Sequence, residues 1–452
     1  MRTLIAVGLH ALAAGGGPAA GTYTVSTLAG GAGGGCRRGG RSGYRDGNAT
    51  TSALFSRPSR VQAVTMPGSE GERLFVLDDF NGCVRSMPLH QPPSRTSVRS
   101  DTPCAGASPI GHNGTDVVWP NGTSRGWMQS DGPQDFWVAP GAAKLYLLDT
   151  DNNKLRMAPG LPGGGFGPLT TLAGSGEMGS VDGAASEASF TQPHGLSVAP
   201  SVGFAYIGDT YASCIRAVRL TTGRVTTVAG TCGGPANTGG HADAPRGVPC
   251  SQAAFNHPHK VTVDPRNESI VYVSDVECSD DAGIQVPHGR CVPRKDPSTV
   301  MKASFTGIRK LEMHPNGSCA SVMTVAGFFN ASAPAQSALG FADGPVATAK
   351  FHYIHGVAIR PLDAAEEEGQ AQGSSTVLYA IDDFNQRVRR VDLVTNEVTT
   401  LAGKGGAGCT DGPAQSATFN PVGLGVGRDG SVYIADYGNN RVRAIVTSGD
   451  DK

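Results

Sequence analysis

Three histidines stand at the same place in three similar segments of this chain, just after a recurring Phe. They are His194, His259 and His355, in the contexts Gln-Pro-His-Gly, His-Pro-His-Lys and Tyr-Ile-His-Gly. Three neutral imidazoles with a fourth position open form the ligand set of a catalytic zinc site. If the fold brings the three rings together, these residues predict a metal site. The alternative is that the imidazoles hydrogen-bond water or backbone groups.

A second pattern places an Asp at the end of an apolar, strand-like run six times along the chain. In five of the six an aliphatic–Arg pair follows at one fixed distance, and in the sixth it follows an insertion. The aspartates are Asp78, Asp149, Asp209, Asp275, Asp382 and Asp436, and the arginines are Arg85, Arg156, Arg216, Arg309, Arg389 and Arg443. Because these residues recur in every unit, we assign them an architectural role. The Asp caps the following turn, and the Arg ties neighbouring strands by charge-assisted hydrogen bonds.

The sequence Asp-Asp-Phe-Asn occurs twice, starting at Asp78 and at Asp382. It resembles a calcium-binding loop only loosely, because the spaced acidic residues and the distal Glu of such a loop are missing.

The elements that must position these residues are short strands. A marker of the type Thr-aliphatic-Ala-Gly closes the units, and Asp-Gly, a turn signal, tends to follow it. Each unit predicts four strands, which in the third unit fall at 196–199, 205–208, 215–220 and 224–228. The 64 Gly and 30 Pro suit many strands joined by turns. Four-stranded units repeated around a channel form a β-propeller, in which stacking buries both faces of each sheet.

The two ends of the repeat array predict how the ring closes. The run 23–28 has the signature of a fourth strand but no unit before it, whereas the last unit ends near Val446 without a fourth strand. Pairing the two gives six complete blades and leaves no bare edge. The predicted fold class is therefore all-β, a six-bladed β-propeller whose last blade is completed by the N-terminal strand. The three histidines, at the start of innermost strands on blades three to five, would then converge at one end of the channel.

The last unit carries the motif most completely. Phe419, Pro421 and Gly423 precede a strand that ends in Asp436, and Asn-Asn-Arg-Val-Arg follows. With the Thr-Leu-Ala-Gly marker, this arrangement resembles the NHL repeat over nearly all of residues 23–446. The resemblance implies NHL-type four-stranded blades and a binding role.

The channel histidines carry a further resemblance, to the lyase domain of peptidylglycine amidating enzymes. That domain is a related six-bladed propeller whose zinc, held by histidines, serves cleavage of peptidyl-α-hydroxyglycine to peptide amide and glyoxylate. The catalytic Tyr and Arg of that family have no assigned counterparts here.

The remaining segments set the expected domain organisation. Residues 1–20 are a signal peptide or a disordered leader, residues 21–447 form the propeller, and residues 448–452 are a polar tail. Insertions near 89–125, 280–302 and 362–375 are expected to be surface loops.

The cysteines and sequons favour a secreted or extracellular protein, with the cytoplasm as the alternative. Ten cysteines form an even set, and six sequons occur, at Asn48, Asn113, Asn121, Asn267, Asn316 and Asn330. Cys232 and Cys250 bracket one loop and Cys278 and Cys291 another, so each pair is a candidate disulfide.

The function predicted from these features is a scaffold for a protein or peptide ligand. A zinc-dependent lyase or hydrolase, with zinc as the cofactor, is the first alternative, and an RNA-binding propeller is the second. The net charge of −1 argues against a broad basic surface, so no nucleic-acid partner is expected. After the leader no apolar run reaches membrane-spanning length. The pattern does not indicate an oligomeric state.

Overall fold

Apolar runs separated by Gly-rich turns fold into six antiparallel sheets arranged as a propeller. The computed structural model describes residues 23–30, 42–67, 71–89, 94–102, 133–233, 241–276, 305–329, 339–361 and 376–447. Within these ranges each blade has four main strands in meander order. The predicted all-β, six-bladed propeller is confirmed.

The strands fall into four classes by their place in a blade. The innermost strands are Pro58–Thr65, Asp135–Val138, Gly195–Ala199, His257–Asp264, Ile354–Ile359 and Gly423–Val426. The second strands are Glu72–Asp78, Lys144–Asp149, Phe204–Asp209, Asn267–Val276, Val377–Asp382 and Val432–Asp436. The third strands are Cys83–Pro88, Lys154–Pro159, Cys214–Arg219, Gly307–Met313, Arg387–Asp392 and Arg441–Thr447. The outer strands are Ser97–Ser100, Thr170–Ala173, Val225–Ala229, Cys319–Ala326, Glu397–Ala402 and Tyr23–Gly30.

Three blades carry a short fifth strand beyond the outer one. These strands are Gly47–Asn48, Gly344–Pro345 and Gly412–Pro413. Short 3₁₀ helices lie at Asp79–Asn81, Pro140–Ala142, Thr210–Ala212, Cys250–Gln252, Ala414–Ser416 and Tyr437–Asn439. In the described ranges no helix has the length and apolar character needed to cross a bilayer.

The N-terminal strand closes the ring. Tyr23–Gly30 runs antiparallel to Arg441–Thr447, with Tyr23 opposite Thr447 and Gly30 opposite Arg441. Val25 and Ala29 of this strand are buried, so the pairing also completes the core of the last blade. The innermost strand of each blade packs against that of the next all the way round. The predicted closure is confirmed.

One predicted loop contains a strand. The insertion expected near 89–125 includes Ser97–Ser100, the outer strand of the first blade, which pairs with Cys83–Pro88. Three of the four residues of this strand are polar or charged, and it lacks the Thr-aliphatic-Ala-Gly marker, so its sequence gave no strand signal. The rest of that insertion from residue 103, the insertions near 280–302 and 362–375, the leader 1–20 and the tail 448–452 lie outside the described residues.

Between the blades, a buried Phe and a buried Arg form a repeated unit. The Phe side chains are Phe55, Phe190, Phe255, Phe351 and Phe419, and the guanidinium groups of Arg85, Arg216, Arg309, Arg389 and Arg443 lie 4.5–5.3 Å from their ring centroids. We call Arg85, Arg216, Arg309, Arg389 and Arg443 the latch arginines. They are among the largest fully buried side chains of the described chain.

Each latch arginine bridges two carboxylates. Its Nη1 lies 2.7–3.2 Å from the aspartate that ends the second strand. Its Nη2 lies 2.6–3.0 Å from a second aspartate on the segment that enters the blade, one of Asp46, Asp182, Asp243, Asp343 and Asp411. The strand-end aspartate also accepts the backbone N–H of the residue after the Phe. The second blade differs: among the described residues Arg156 bonds one carboxylate, that of Asp149, and the segment that enters this blade lies outside them.

The disulfides correct one expectation. Cys232 and Cys250 do not pair with each other; Cys214 bonds Cys232 and Cys250 bonds Cys319, with Cα–Cα distances of 5.2 and 6.1 Å. Both bonds link the outer part of a blade to a loop that the chain order alone does not bring close. Cys83 and Cys409 are disulfide-bonded as well. The candidate pair Cys278 and Cys291 lies outside the described residues.

Candidate binding site at the mouth of the central channel

The three predicted histidines meet at the end of the channel where the innermost strands begin, which we call the mouth. The rings of His194 and His259 are 4.9 Å apart between centroids, and those of His259 and His355 are 4.5 Å apart. All three side chains are buried. The equivalent positions in the other blades hold Ser59, Gln134 and Val422, so the imidazoles occupy one arc of the ring.

A zinc site at the histidine cluster stays a prediction. Neighbouring rings meet edge to face, at interplanar angles of 62° and 89°. The Nδ1 atom of His355 lies 3.1 Å from Oδ2 of Asp383. Within the described ranges no three His, Cys, Asp or Glu side chains are placed so that they could hold a metal ion. The structure brings the three rings together, as the zinc-lyase hypothesis requires. The described residues show no metal-binding arrangement in addition.

Directly below the mouth, three charged side chains fill the channel. Arg60, Asp135 and Lys260 occupy the position after Ser59, Gln134 and His259. Lys260 Nζ lies 2.5 Å from Asp135 Oδ2, and Arg60 Nε lies 3.6 Å from Asp135 Oδ1. Burial lowers the pKa of both Arg60 and Lys260, and Asp135 opposes that effect.

The other three blades have Gly at this position for a steric reason. A Cβ on Gly195 would lie 2.5 Å from the carbonyl oxygen of His259, and one on Gly423 would lie 2.2 Å from that of Ser59. The absence of a side chain on Gly195 lets Lys260 reach past blade three to Asp135 on blade two. The charged cluster separates the mouth from a cavity of about 170 Å³ further along the channel, lined by residues that include Gln62, Trp137 and Thr262.

Aromatic side chains form the rim of the mouth. The ring centroid of Tyr211 lies 5.8 Å from that of His194, and the centroid of Tyr353 lies 5.7 Å from that of His259 and 5.4 Å from that of Phe384. Tyr437 meets Phe80 edge to face at 6.4 Å. The rim therefore offers flat apolar surfaces beside polar groups, a combination that binding sites use for orientation and affinity.

Three residues at the mouth sit in an unfavourable backbone conformation. Arg57 and Tyr353 occupy equivalent positions before their innermost strands with φ of 53° and 71°, as does Gln192 with φ of 44°. This left-handed region costs a non-glycine residue about 1–2 kcal/mol. Asn440 and Asn153 offset part of that cost, since their Oδ1 atoms accept the backbone N–H of Arg57 and Gln192 at 2.8 Å. Strained residues of this kind cluster at functional sites, so the strain supports this end of the channel as the site.

Burial dominates the electrostatics of the mouth. It raises the pKa of Asp79 and of Asp383 to about 7 each. It lowers the pKa of His257 to about 4 and that of His355 well below its usual value. His257 and His355 are therefore neutral at physiological pH, and the carboxyl groups of Asp79 and Asp383 titrate close to it.

The sequence prediction located the histidines and missed most of the other mouth residues. These are Arg57, Arg60, Asp79, Asp135, Lys260, Tyr353, Asp383 and Tyr437. A signal for them was present, because each stands where equivalent positions differ between units. At the position after the histidine, for example, three units have Gly and three have a charged residue.

The chain is similar in sequence to known NHL-repeat proteins. A profile of the NHL repeat matches residues 420–445, which lie in the last blade. Protein SUPPRESSOR OF QUENCHING 1, chloroplastic, from Arabidopsis thaliana is 27% identical over 318 residues, which cover 63% of this chain and 28% of that protein. NHL repeat-containing protein 2 from Bos taurus is 24% identical over 314 residues, covering 62% of this chain and 42% of that protein. The chain thus spans less than half the length of these relatives.

Among solved structures, an auxiliary nutrient binding protein from Bacteroides thetaiotaomicron VPI-5482 matches with a TM-score of 0.59 at 15% identity. The match covers 94% of this chain and 76% of that one. At this identity it shows the fold alone. Fold and site together define a class of protein, a six-bladed propeller. The mouth of its channel is surrounded by aromatic side chains and closed below by charged ones. With the repeat motif and its profile match, the chain is an NHL-repeat β-propeller.

Proposed function

We propose that the protein is a peptide-binding scaffold that holds its ligand at the mouth of the channel. The observation that carries the proposal is that repeated positions and variable positions lie in different parts of the molecule. Those shared by the blades build the latches, whereas those that differ between blades gather at the mouth, three of them in strained backbone conformations. Strain on a rim of aromatic groups above a charged floor supports recognition of a ligand.

The proposal is a binding function without turnover. The mouth supplies neutral imidazoles and rings in mutual contact, and the charged groups below it are already paired with one another. A peptide laid across the rim would contact the exposed Phe80 and the half-buried Tyr353 without entering the channel. This mode uses apolar area for affinity and the neighbouring polar groups for orientation.

A selection experiment with a matched pair of variants tests the proposal. Random peptides displayed on phage are selected on the full chain, and the enriched peptides are then titrated against Phe80→Ala and Phe341→Ala. Both phenylalanines are exposed and both lie under an arginine, Arg57 at 4.4 Å and Arg387 at 4.0 Å, but Phe341 lies away from the mouth.

We expect Phe80→Ala to weaken binding by about tenfold, as for a contact residue at the centre of an interface, and Phe341→Ala to leave it unchanged. Enriched peptides that bind both variants as tightly as the wild type would show that the ligand site is elsewhere. Failure to enrich any peptide, together with turnover of a peptidyl-α-hydroxyglycine, would replace the scaffold with the lyase.

The protein is also proposed to work in an oxidising, extracellular compartment. Every described cysteine is in a disulfide, a state that persists in secreted proteins and is rare in the cytosol. Thiol labelling of the natively expressed protein in denaturant, without reductant, should find no reactive cysteine. Labelling of Cys214 or Cys250 would refute this compartment.

A further inference from the structure

Two equivalent acidic turns flank blade six at the mouth. After the aspartate that ends the second strand, blade one continues Asp79-Phe80 and blade five continues Asp383-Phe384. Between them, at the position of the two aspartates, blade six has Tyr437. We call these five residues the acidic cradle.

Tyr437 packs against the blade-one turn of the cradle, with its ring centroid 6.4 Å from that of Phe80. Burial and then Asp79 raise the pKa of Tyr437 above the usual tyrosine value, Arg57 opposes the shift, and Asp383 adds the smallest part. The phenol therefore lies within the field of both carboxylates. It stays neutral, with its hydroxyl accepting a hydrogen bond from Arg57 Nη1 at 3.2 Å.

Asp79 is a buried carboxylate in need of a cation. Its side chain is 4% exposed, and its Oδ2 has no hydrogen-bond partner among the described residues. Arg60 does not supply that partner, because its hydrogen bonds go to the carbonyl oxygens of Ser59, Val422 and His355. Burying an unpaired carboxylate is unfavourable, and a cation placed beside it removes that cost.

The aromatic walls of the cradle already hold one cation. The guanidinium of Arg57 lies 4.4 Å from the ring centroid of Phe80 and 5.3 Å from that of Tyr437. Arg57 is exposed and has φ of 53°, so its side chain folds onto the cradle from a strained backbone position. Planar guanidinium groups stack on aromatic rings and also pair with carboxylates.

We propose that the acidic cradle binds an arginine side chain of the peptide ligand, and that Arg57 occupies the cradle as an internal competitor until the ligand displaces it. This inference rests on the proposed function and names the chemical class of residue that the site selects. A guanidinium fits better than a metal ion, because calcium takes six to eight oxygen ligands and the cradle walls are rings. The rings of Phe80 and Tyr437 already lie against the Arg57 guanidinium, and the buried Asp79 carboxylate supplies the negative charge nearby.

The test uses two tripeptides that differ by one charge. N-acetyl-Gly-Arg-Gly-amide and its citrulline counterpart have the same shape, but citrulline is neutral. Each is titrated calorimetrically into the full chain at pH 8, where both cradle aspartates are ionised. The chains compared are the wild type, Asp79→Asn, Asp383→Asn and Arg57→Ala.

Two further variants serve as matched controls. Asp264→Asn changes a buried aspartate at the opposite end of an innermost strand, where Asp264 accepts the backbone N–H of Arg266. Arg219→Ala removes an exposed arginine that stacks on Phe204 at 4.5 Å, away from the mouth.

We expect the arginine peptide to bind about tenfold or more tightly than the citrulline peptide. Asp79→Asn and Asp383→Asn should each abolish that preference, and thermal melts should show both variants folded. Arg57→Ala should raise affinity for the arginine peptide several-fold, which a merely structural role of Arg57 does not explain. The two control variants should behave as the wild type does.

Equal binding of the two tripeptides, or of neither, overturns the inference, as does weaker arginine binding by Arg57→Ala. Its failure is separable from that of the proposed function. If phage-selected peptides bind in a Phe80-dependent way but show no arginine, the scaffold stands and the cradle does not select a cation.

Discussion

Single residues at the mouth gain their properties from burial. Asp79 and Asp78 are neighbours in sequence and both are buried, but Asp78 has Arg85 at 2.7 Å and Asp79 has no such partner. An aspartate in a repeated position thus forms a structural ion pair, whereas the next residue carries a charge that the fold leaves largely uncompensated.

The raised pKa of Asp79 predicts how stability depends on pH. The folded-state pKa is about 7 and the unfolded-state value is about 4, so the folded chain binds the extra proton between these limits. The stability that Asp79 contributes is therefore present below pH 4 and lost as the pH rises to 7. Asp79→Asn should raise the free energy of unfolding at pH 8 by about 2 kcal/mol and leave it unchanged at pH 4, as measured by urea denaturation.

Asp392→Asn is a control for which the expected change in unfolding free energy at pH 8 has the opposite sign. Although burial opposes it, the backbone N–H groups of Thr395 and Val394 lower the pKa of Asp392. That variant should therefore lose stability at pH 8. An Asp79→Asn variant that also loses stability there would mean that the carboxylate is well compensated in the folded chain.

Side-chain hydrogen bonding predicts which sequons carry glycans. Asn267 and Asn316 are exposed, and their Oδ1 atoms accept the hydroxyls of Ser269 and Ser318, leaving the amide nitrogens outward. At Asn48, by contrast, Nδ2 donates to the carbonyl oxygen of Ser94 at 2.6 Å. Expression through a secretory pathway should give glycans at Asn267 and Asn316 and none at Asn48, as read by glycopeptide mass spectrometry. Full occupancy at Asn48 would contradict this.

At the scale of elements, the latch arginine is what joins the loop entering a blade to that blade's own strands. Arg389 contacts Asp382 and Asp343 and donates to the carbonyl oxygens of Lys350 and Ala342. Removing such a side chain takes one charged donor from each of two carboxylates and from two carbonyl oxygens, inside a close-packed seam.

Arg389→Ala should lower the free energy of unfolding by about 4 kcal/mol. Arg156→Ala is the matched comparison, because Arg156 bonds one carboxylate among the described residues and its side chain is 18% exposed. Its cost should be at most about 2 kcal/mol. Equal costs in thermal and urea unfolding would show that the second carboxylate contributes little to the latch.

Prediction at this scale succeeded where the pattern was local. The third unit was expected at 196–199, 205–208, 215–220 and 224–228, and its strands are Gly195–Ala199, Phe204–Asp209, Cys214–Arg219 and Val225–Ala229. The strand Ser97–Ser100 and the pairing of Cys214 with Cys232 escaped, because neither depends on its own sequence. The first is stabilised by its neighbour strand, and the second by which loops the blades bring together.

For the whole molecule, the ring depends on the segment Tyr23–Gly30. This strand supplies the outer edge of blade six and donates buried Val25 to its core. Without it, Arg441–Thr447 would expose an unpaired edge, and the seam between the last and first blades would lose its cover.

Truncation tests that dependence. A chain starting at Gly31 should lose about 5 kcal/mol or more of unfolding free energy relative to a chain starting at Tyr23, from lost pairing and apolar burial. The chain starting at Tyr23 should match the full-length protein. Equal melting curves for all three would mean that the ring is held by the other blades alone.

The sequence by itself determined the repeat, the number of blades, the closing strand and the approach of His194, His259 and His355, because each follows from periodicity and strand order. Tertiary structure alone decided what those histidines meet. Side chains from blades one, two and four form the charged floor, and turns from blades one, five and six form the cradle. Such contacts join positions far apart in the chain, and their energies depend on burial and distance, which no spacing along a sequence specifies.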